Sequence, residues 1–308
     1  MYISDYFKKT KKERFLMWKK MLSIAVCAFL VCVFTGCSED KGGKKFTVGF
    51  DSSFPPYGYV EKGEFKGFDL DLAREVAKRN SWEIVLRPIN WDAKDMELNS
   101  GSIDCIWNGF TINGRENSYE WSEPYVDNSQ VVLVKKSSGI KNLAGLKGKV
   151  VAVQTDTPVQ KALSAKGSKE ALGKTFKKLI VTPNYNNAVM ELEAGSVDAV
   201  AMDIGVAQMK AKENKAFVIL PETVITEKYG IGFKKGNTAL RDAVQNTLKE
   251  MVADGTAAKI SAKYFDGRNV LIIKGAVKKA PAVAVKAVAP VTNAMKKAQQ
   301  AAEKAAGK

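Results

Sequence analysis

The sequence predicts an α/β protein built as two lobes, each a β-sheet flanked by helices. Three observations carry this expectation. Between Phe46 and Ile273, short apolar runs alternate with stretches of helical periodicity. The segment Leu98-Asn99-Ser100-Gly101-Ser102-Ile103-Asp104-Cys105-Ile106 recurs as Leu192-Glu193-Ala194-Gly195-Ser196-Val197-Asp198-Ala199-Val200, in each case a helix end, a glycine cap and a strand. The chain, 308 residues with 45% apolar side chains, is also long enough for about two domains.

The elements follow in order. Residues 1–20 carry seven basic side chains and run into the apolar stretch Met21 to Phe34. That stretch falls short of the roughly 20 residues a bilayer-spanning helix needs and fits the core of a secretory signal. It ends at Phe34-Thr35-Gly36-Cys37, before the polar Ser38-Glu39-Asp40. The segment resembles a bacterial lipoprotein signal, which implies removal of residues 1–36, lipidation of Cys37 (acylation such as palmitate) and a tether over 37–44. The alternative, an uncleaved anchor or an unlipidated signal, also exports the chain.

Strands are predicted at Phe46 to Phe50, Glu83 to Leu86, Ile103 to Ile106, Val150 to Val153, Lys178 to Val181 and Val197 to Met202. Helices are predicted at Asp69 to Arg79, Asp92 to Asn99, Pro158 to Ala165, Asn187 to Ala194 and Thr238 to Ala253. Asp69 reads as a helix cap, and Asp104 and Asp198 as structural residues at strand starts.

Composition narrows the function. The absence of histidine excludes His-based triads, His proton shuttles and His-ligated metals. The formal charge of +15 raises nucleic acid or an anionic surface as a partner. Its distribution argues otherwise, because residues 1–36 and 274–308 hold most of the excess. The Lys, Ala and Pro-rich stretch 274–308 lacks aromatic residues for base stacking and is expected to be a disordered tail, either solvated or in contact with anionic lipid or wall polymer. Cys105 lies in an apolar stretch and reads as a buried, inert thiol.

Ligands of open α/β sheets gather at the carboxyl ends of strands. The residues following the predicted strands are Asp51 and Phe54, then Trp91, then Trp107-Asn108-Gly109-Phe110-Thr111 with Arg115 just beyond. The second lobe offers Gln154, Thr157 and Asp203. An arginine fork binds a carboxylate, an aspartate suits an ammonium, and aromatic faces cover an apolar stem. A free amino acid answers all three demands. Thr157-Pro158 reads as a helix cap with proline in the first turn, leaving backbone N–H groups free for an anion.

Several motifs complete the picture: Gly67-Phe68-Asp69-Leu70-Asp71-Leu72, Gly109-Phe110-Thr111-Ile112-Asn113-Gly114-Arg115, Trp121-Ser122-Glu123-Pro124-Tyr125 and Leu146-Lys147-Gly148-Lys149-Val150. With these, Phe46 to about Phe265 resembles the extracellular solute-binding proteins of family 3, the polar amino-acid receptors of ABC importers. The resemblance implies a two-lobed, periplasmic-binding-protein-like fold of type II. Lobe 1 would comprise 45–127 and 222–273, and lobe 2 128–221, joined by crossings near Tyr125 to Val131 and Leu220 to Val224. It further implies that Arg115, Thr111 and the Thr157 backbone grip an α-carboxylate. Asp203, with the carbonyl of Asn108 or Gly109, would take the α-ammonium. Phe54 and Trp91 would sandwich the side chain, and Asp51 would meet its polar end, with Gln154 a further ligand-binding candidate. The expected partners are a free amino acid, a polar or basic one by the presence of Asp51, and an ABC permease. The protein would be a membrane-anchored monomer facing the periplasm or cell exterior, with no cofactor, no metal and no nucleic acid. Rival readings are an amino-acid sensor or surface lipoprotein without transport, and a dehydratase-like enzyme on the same scaffold.

Overall fold

The computed structural model describes residues 43–275. The leader, Cys37 and nearly all of the basic tail therefore lie outside the described residues.

The amino-terminal part runs β1 (Lys45–Phe50), β2 (Ser53–Phe54), β3 (Gly58–Glu61), β4 (Glu64–Lys66), α1 (Phe68–Arg79), β5 (Glu83–Pro88), α2 (Lys94–Ser100), β6 (Cys105–Thr111) and β7 (Glu120–Trp121). The middle part runs β8 (Val126–Lys135), β9 (Val150–Gln154), α3 (Pro158–Leu163), α4 (Glu170–Gly173), β10 (Lys178–Thr182), α5 (Tyr185–Ala194), β11 (Ala199–Asp203), α6 (Ile204–Glu213) and β12 (Phe217–Ile219). It closes with β13 (Ile225–Phe233), α7 (Thr238–Ala253) and α8 (Thr256–Tyr264).

One sheet threads the molecule in the order β10-β9-β11-β8-β13-β6-β1-β5. Its two ends are parallel units, β1 with β5 and β6, and β9 with β10 and β11. The long antiparallel strands β8 and β13 join them, Val126 to Gln130 pairing with Ile225 to Tyr229. β8 shows this position in its burial. Asp127 is exposed while Asn128 and Gln130 are buried, whereas Val131 to Val134 are buried throughout, as in a strand covered on both faces.

Helices cover the sheet as their periodicity requires. α1 turns Phe68, Leu72, Ala73 and Val76 inward, into a core with Phe46, Val48, Trp107 and Tyr125. At the far end Val151, Val153, Val159, Leu163, Ala199 and Ala201 form a second core. Full burial contributes about 1.5–3 kcal/mol for each large apolar side chain, so these two clusters anchor the two ends of the sheet.

The sequence repeat is a structural repeat. Gly101 and Gly195 cap α2 and α5 in the left-handed conformation, at φ 80° and 85°, which a side chain would strain. Three residues later in the motif, Asp104 Oδ2 accepts from Thr47 N at 2.7 Å and Asp198 Oδ2 accepts from Val150 N at 2.8 Å. In each half the aspartate ties the oncoming strand to its parallel neighbour, the structural role expected of it.

Some elements depart from expectation. β6 continues to Thr111 with every residue buried, because it lies centrally between β1 and β13. Trp107 to Thr111 therefore belong to the strand and do not follow it. Asp69 caps nothing: the α1 cap position is Gly67, and the Asp69 side chain lies buried inside the first turn. Leu220 and Val224 are buried with the second core, and the adjoining segment Ile225 to Tyr229 pairs with β8. The helices α6 and α8 and the small sheet β2-β3-β4 were not anticipated. Cys105 is buried and has no disulfide partner among the described residues, and burial pushes its thiol well above the ordinary range, consistent with an inert side chain.

Candidate functional site

The groups expected to recognise a ligand fall where the two ends of the sheet meet. They form three clusters.

The first surrounds Arg115. Its chain leaves β6 at Thr111, and a turn in which Arg115 N donates to Ile112 O brings the guanidinium back over the Phe110 ring, 5.3 Å from its centre. The guanidinium donates to the Thr111 carbonyl at 3.4 Å and to the Asp156 carbonyl at 2.6 Å, and lies 3.3 Å from Asp156 Oδ1. Lys94, almost wholly buried, also pairs with Asp156 and lies 5.4 Å from the centre of the Trp91 ring. Asp156 holds a left-handed backbone at φ 49°, just before the Thr157 cap, whose Oγ1 accepts from Gln160 N at 3.3 Å. Burial raises the Asp156 pKa, but the Lys94 hydrogen bond and the two cations outweigh it and hold the carboxyl below its ordinary value. A cavity of about 520 Å³ opens beside this cluster, lined by Arg115, Asp156, Thr157, Lys161, Ile225 and Glu227 among others.

The second cluster surrounds Asp203, at the end of β11. Its Oδ1 accepts from Asn128 Nδ2 at 2.7 Å, from Gln130 Nε2 at 2.8 Å and from the Tyr229 hydroxyl, and its Oδ2 accepts from the Tyr185 hydroxyl at 2.8 Å. The same two amides donate to Glu227 Oε1, at 2.6 and 2.7 Å. Two buried carboxyls thus share two amide donors. Burial drives Asp203 upward against its hydrogen bonds from Tyr229, Tyr185 and Gln130. Burial, then the neighbouring Asp203 charge, pushes Glu227 up to about 8.

The third cluster joins the halves beside Phe54. Asp51 Oδ2 accepts from Gln154 Nε2 at 2.7 Å, and Oδ1 accepts from Ser53 N at 2.8 Å. Burial outweighs both bonds and raises Asp51 above its usual range. Phe54 stacks on Tyr185, ring centres 5.8 Å apart, and lies close over Gly109. Gly109 has φ 56° and donates its N–H to Asp69 Oδ2 at 2.6 Å, and a methyl group there would fall 2.7 Å from the Phe54 ring. Asn108, one residue earlier, is buried with neither side-chain polar atom partnered among the described residues.

Arg115, Thr111 and Thr157 are therefore brought together, as are Asp51 with Gln154 and Phe54 with Gly109 and Asp203's partner Tyr185. Phe54 and Trp91 are not. Trp91 meets Phe110 edge-on at 5.4 Å on the Arg115 side, and no ring contact with Phe54 is found among the described residues. Sequence reasoning missed Asn128, Gln130, Asp156, Lys94, Tyr185, Tyr229 and Glu227. Alternation in Asp127-Asn128-Ser129-Gln130 was the one available signal for the first two.

An α/β sheet threaded twice between two halves, with polar groups converging at the junction, is the architecture of the type II periplasmic binding proteins. The chain belongs to the bacterial extracellular solute-binding proteins, family 3, whose model matches residues 46–267. A probable histidine-binding protein of Neisseria gonorrhoeae is 33% identical over 234 residues, 72% of this chain and 84% of that protein. The arginine-binding extracellular protein ArtP of Bacillus subtilis is 29% identical over 81% of this chain and 99% of its own length. Among solved structures, an ABC uptake transporter substrate binding protein from Streptococcus pneumoniae with bound histidine matches with a TM-score of 0.71 and 30% identity. That match covers 77% of this chain and 98% of that one. Membership of an extracellular family makes this an exported protein, and its relatives are substrate-binding proteins of transporters. No helix among the described residues is long and apolar enough to cross a membrane.

Proposed function

We propose that the protein is an extracytoplasmic receptor that binds a free amino acid between its halves and delivers it to an ABC permease, without catalysis of its own. The observation that carries this reading is the convergence on one cavity of Arg115, Thr157 and Glu227, whose buried carboxyl shares its amide donors with Asp203. A guanidinium and a buried carboxyl lining one cavity match the two charged ends of a zwitterion. Lobe 1 would be residues 45–127 with 222–273 and lobe 2 residues 128–221, the paired strands β8 and β13 serving as the hinge. Asp51, Asp203 and Glu227 favour a polar or basic side chain over an acidic one. Isothermal calorimetry of the purified protein with the twenty free L-amino acids tests the reading, and heat from none of them would refute it.

In this reading Asp156 competes with the ligand carboxylate for Arg115. Asp156→Asn is expected to tighten amino-acid binding by up to about fivefold, since a half-exposed ion pair is worth about 1 kcal/mol or less. Weaker binding in the same titration would reverse the assignment.

The amino-terminal leader supports a lipid anchor at Cys37. Wild-type protein expressed with its leader should enter the detergent phase on phase partition, and Cys37→Ser should move to the aqueous phase. Equal partition of the two would remove the anchor.

A further inference from the structure

Charge is divided unevenly between the two ends of the sheet. Residues 128–221 carry 14 lysines against 7 acidic side chains, whereas 45–127 with 222–273 carry 17 basic against 21 acidic. No arginine occurs between Arg115 and Arg241, so every basic group of 128–221 is a lysine. The fold gathers many of these lysines in one place. Lys149 stands just before β9 and Lys178 opens β10, where it pairs with Val150. Lys177 N donates to the Lys149 carbonyl at 2.9 Å, and Gly148 N donates to the Thr175 carbonyl at 2.8 Å, which brings the turns of Lys147 and Lys174 together. β8 runs antiparallel to β11 and so ends at the same pole, at Lys135 followed by Lys136.

This pole is the amino end of the parallel strands. The cavity lined by Asp156 and Thr157 opens past their carboxyl ends, beyond Gln154. Lys136, Lys147, Lys177 and Lys178 are exposed and make no ion pair among the described residues. The acids at the pole do not cancel the charge. Asp198 lies 3.9 Å from Lys149 and Glu170 lies 2.9 Å from Lys174, both exposed pairs of small effect, and the Glu193 carboxylate is taken by Asn214 Nδ2 at 3.1 Å.

We propose that the lysine pole of residues 128–221 is a contact surface for the headgroups of anionic phospholipids. Lysine is a compact, strongly hydrated point charge, suited to diffuse attraction by many phosphates, and the pole lacks the arginine forks of a bidentate site. The one aromatic residue of 135–178, Phe176, packs against the second core. The pole therefore offers no ring for stacking on a nucleic-acid base and no aromatic anchor for a protein partner. An exported protein of a transporter-serving family works beside a bilayer. β9 and β10 lie at one end of the sheet order and β1, into which the chain from Cys37 leads, lies toward the other. Lipid contact at the pole therefore holds the end of the sheet remote from the amino-terminal segment and leaves the cavity clear.

The test is co-sedimentation of the chain from Ser38 to Lys308, which lacks Cys37 and keeps the family-matched span 46–267. The vesicles are phosphatidylcholine alone or with about 30% phosphatidylglycerol, the anionic component. Binding should need phosphatidylglycerol and fade as salt rises from about 50 to 300 mM, because screening shortens the reach of each charge. Each lysine near an anionic leaflet contributes up to about fivefold in affinity. A pole variant with Lys136→Gln, Lys147→Gln, Lys177→Gln and Lys178→Gln should therefore bind about tenfold more weakly or worse. A tail variant with Lys278→Gln, Lys279→Gln, Lys296→Gln and Lys297→Gln, which removes the same charge, should lose less. A folded pole variant that binds like wild type, or a wild type that ignores phosphatidylglycerol at low salt, would overturn the proposal. Tighter binding to an oligonucleotide or to polyphosphate than to the anionic vesicles, lost in the pole variant, would assign the pole to a soluble polyanion and overturn the lipid contact. Should the pole variant fail to fold, acetylation of wild type read by mass spectrometry decides. Anionic vesicles should protect Lys147, Lys177 and Lys178, and equal labelling with and without them would overturn the proposal.

Discussion

Replacing Arg115 by alanine is expected to weaken amino-acid binding by about a hundredfold or more while leaving the protein folded. The guanidinium lines the cavity beside the Thr157 cap together with Lys161 and Lys166, and of these three cations it has the fork geometry that suits a carboxylate. Removing one partner of a desolvated, charge-assisted pair costs about 2–5 kcal/mol, and each 1.4 kcal/mol is tenfold in affinity. Arg115→Lys should recover part of the charge and little of the bidentate geometry, falling between alanine and wild type. The fold should tolerate both changes. The Trp121 indole N–H donates to the Arg115 backbone carbonyl at 3.0 Å, a bond that survives substitution, and the Asp156 pair is half-exposed. Calorimetry with circular dichroism as the folding control decides the matter. Unchanged affinity in a folded Arg115→Ala protein would remove Arg115 from the site.

The second large effect is on stability. Asp69 is fully buried in the first turn of α1, where Oδ2 accepts the Gly109 N–H and Oδ1 completes no well-formed hydrogen bond. Burial raises its pKa from 3.8 to about 7, against the opposing pull of the Tyr125 hydroxyl, the Gly109 N–H and the Trp107 indole. A folded-state value above the unfolded one means the native protein binds more protons between the two. The stabilisation from protonated Asp69 is then complete below about pH 4 and lost as pH climbs to about 7. At 1.36 kcal/mol per unit, this amounts to about 4 kcal/mol between those limits. Urea unfolding of wild type and Asp69→Asn from pH 4 to 8 isolates the contribution. The stability difference between the two should move against wild type as pH rises. A difference that stays constant with pH would show that Asp69 ionises freely in the folded protein.

Helix positions were legible wherever a single face is buried. α7 carries Leu240, Val244, Leu248 and Met251 at helical spacing, and its predicted span coincides with the observed one. The repeat was legible because a left-handed glycine and a strand-start aspartate leave a signature that survives divergence. What failed to show has a common physical origin. Asn108 and Gly109 read as loop residues, but in β6 the φ 56° break at Gly109 is compensated by a buried carboxylate from a helix 40 positions away. Asp69 looked like a cap for the same reason: its partner is distant in sequence. Glu227, in Thr226-Glu227-Lys228, looks like one more charged residue in a strand that is partly exposed. Only the folded molecule brings it against Asn128 and Gln130. Arg115 and Thr157 were recoverable because their chemistry is local to a strand end and a helix start.

The pairing of Val126 to Gln130 with Ile225 to Tyr229 has a consequence for how this site can be altered. In a strand, neighbouring side chains point to opposite faces, so a slip of one residue inverts the whole set. Asn128 and Gln130 stand inward while Asp127 is exposed, and Glu227 stands inward while Thr226 and Lys228 are exposed. The backbone ladder therefore acts as a phase setting: it fixes which side chains of both strands see the interior. A one-residue slip of 126–130 against its partner strand would exchange the buried amides for Asp127 and Ser129 and dismantle the carboxyl pair. Single-residue substitutions can retune the cluster, but insertions and deletions there would erase it.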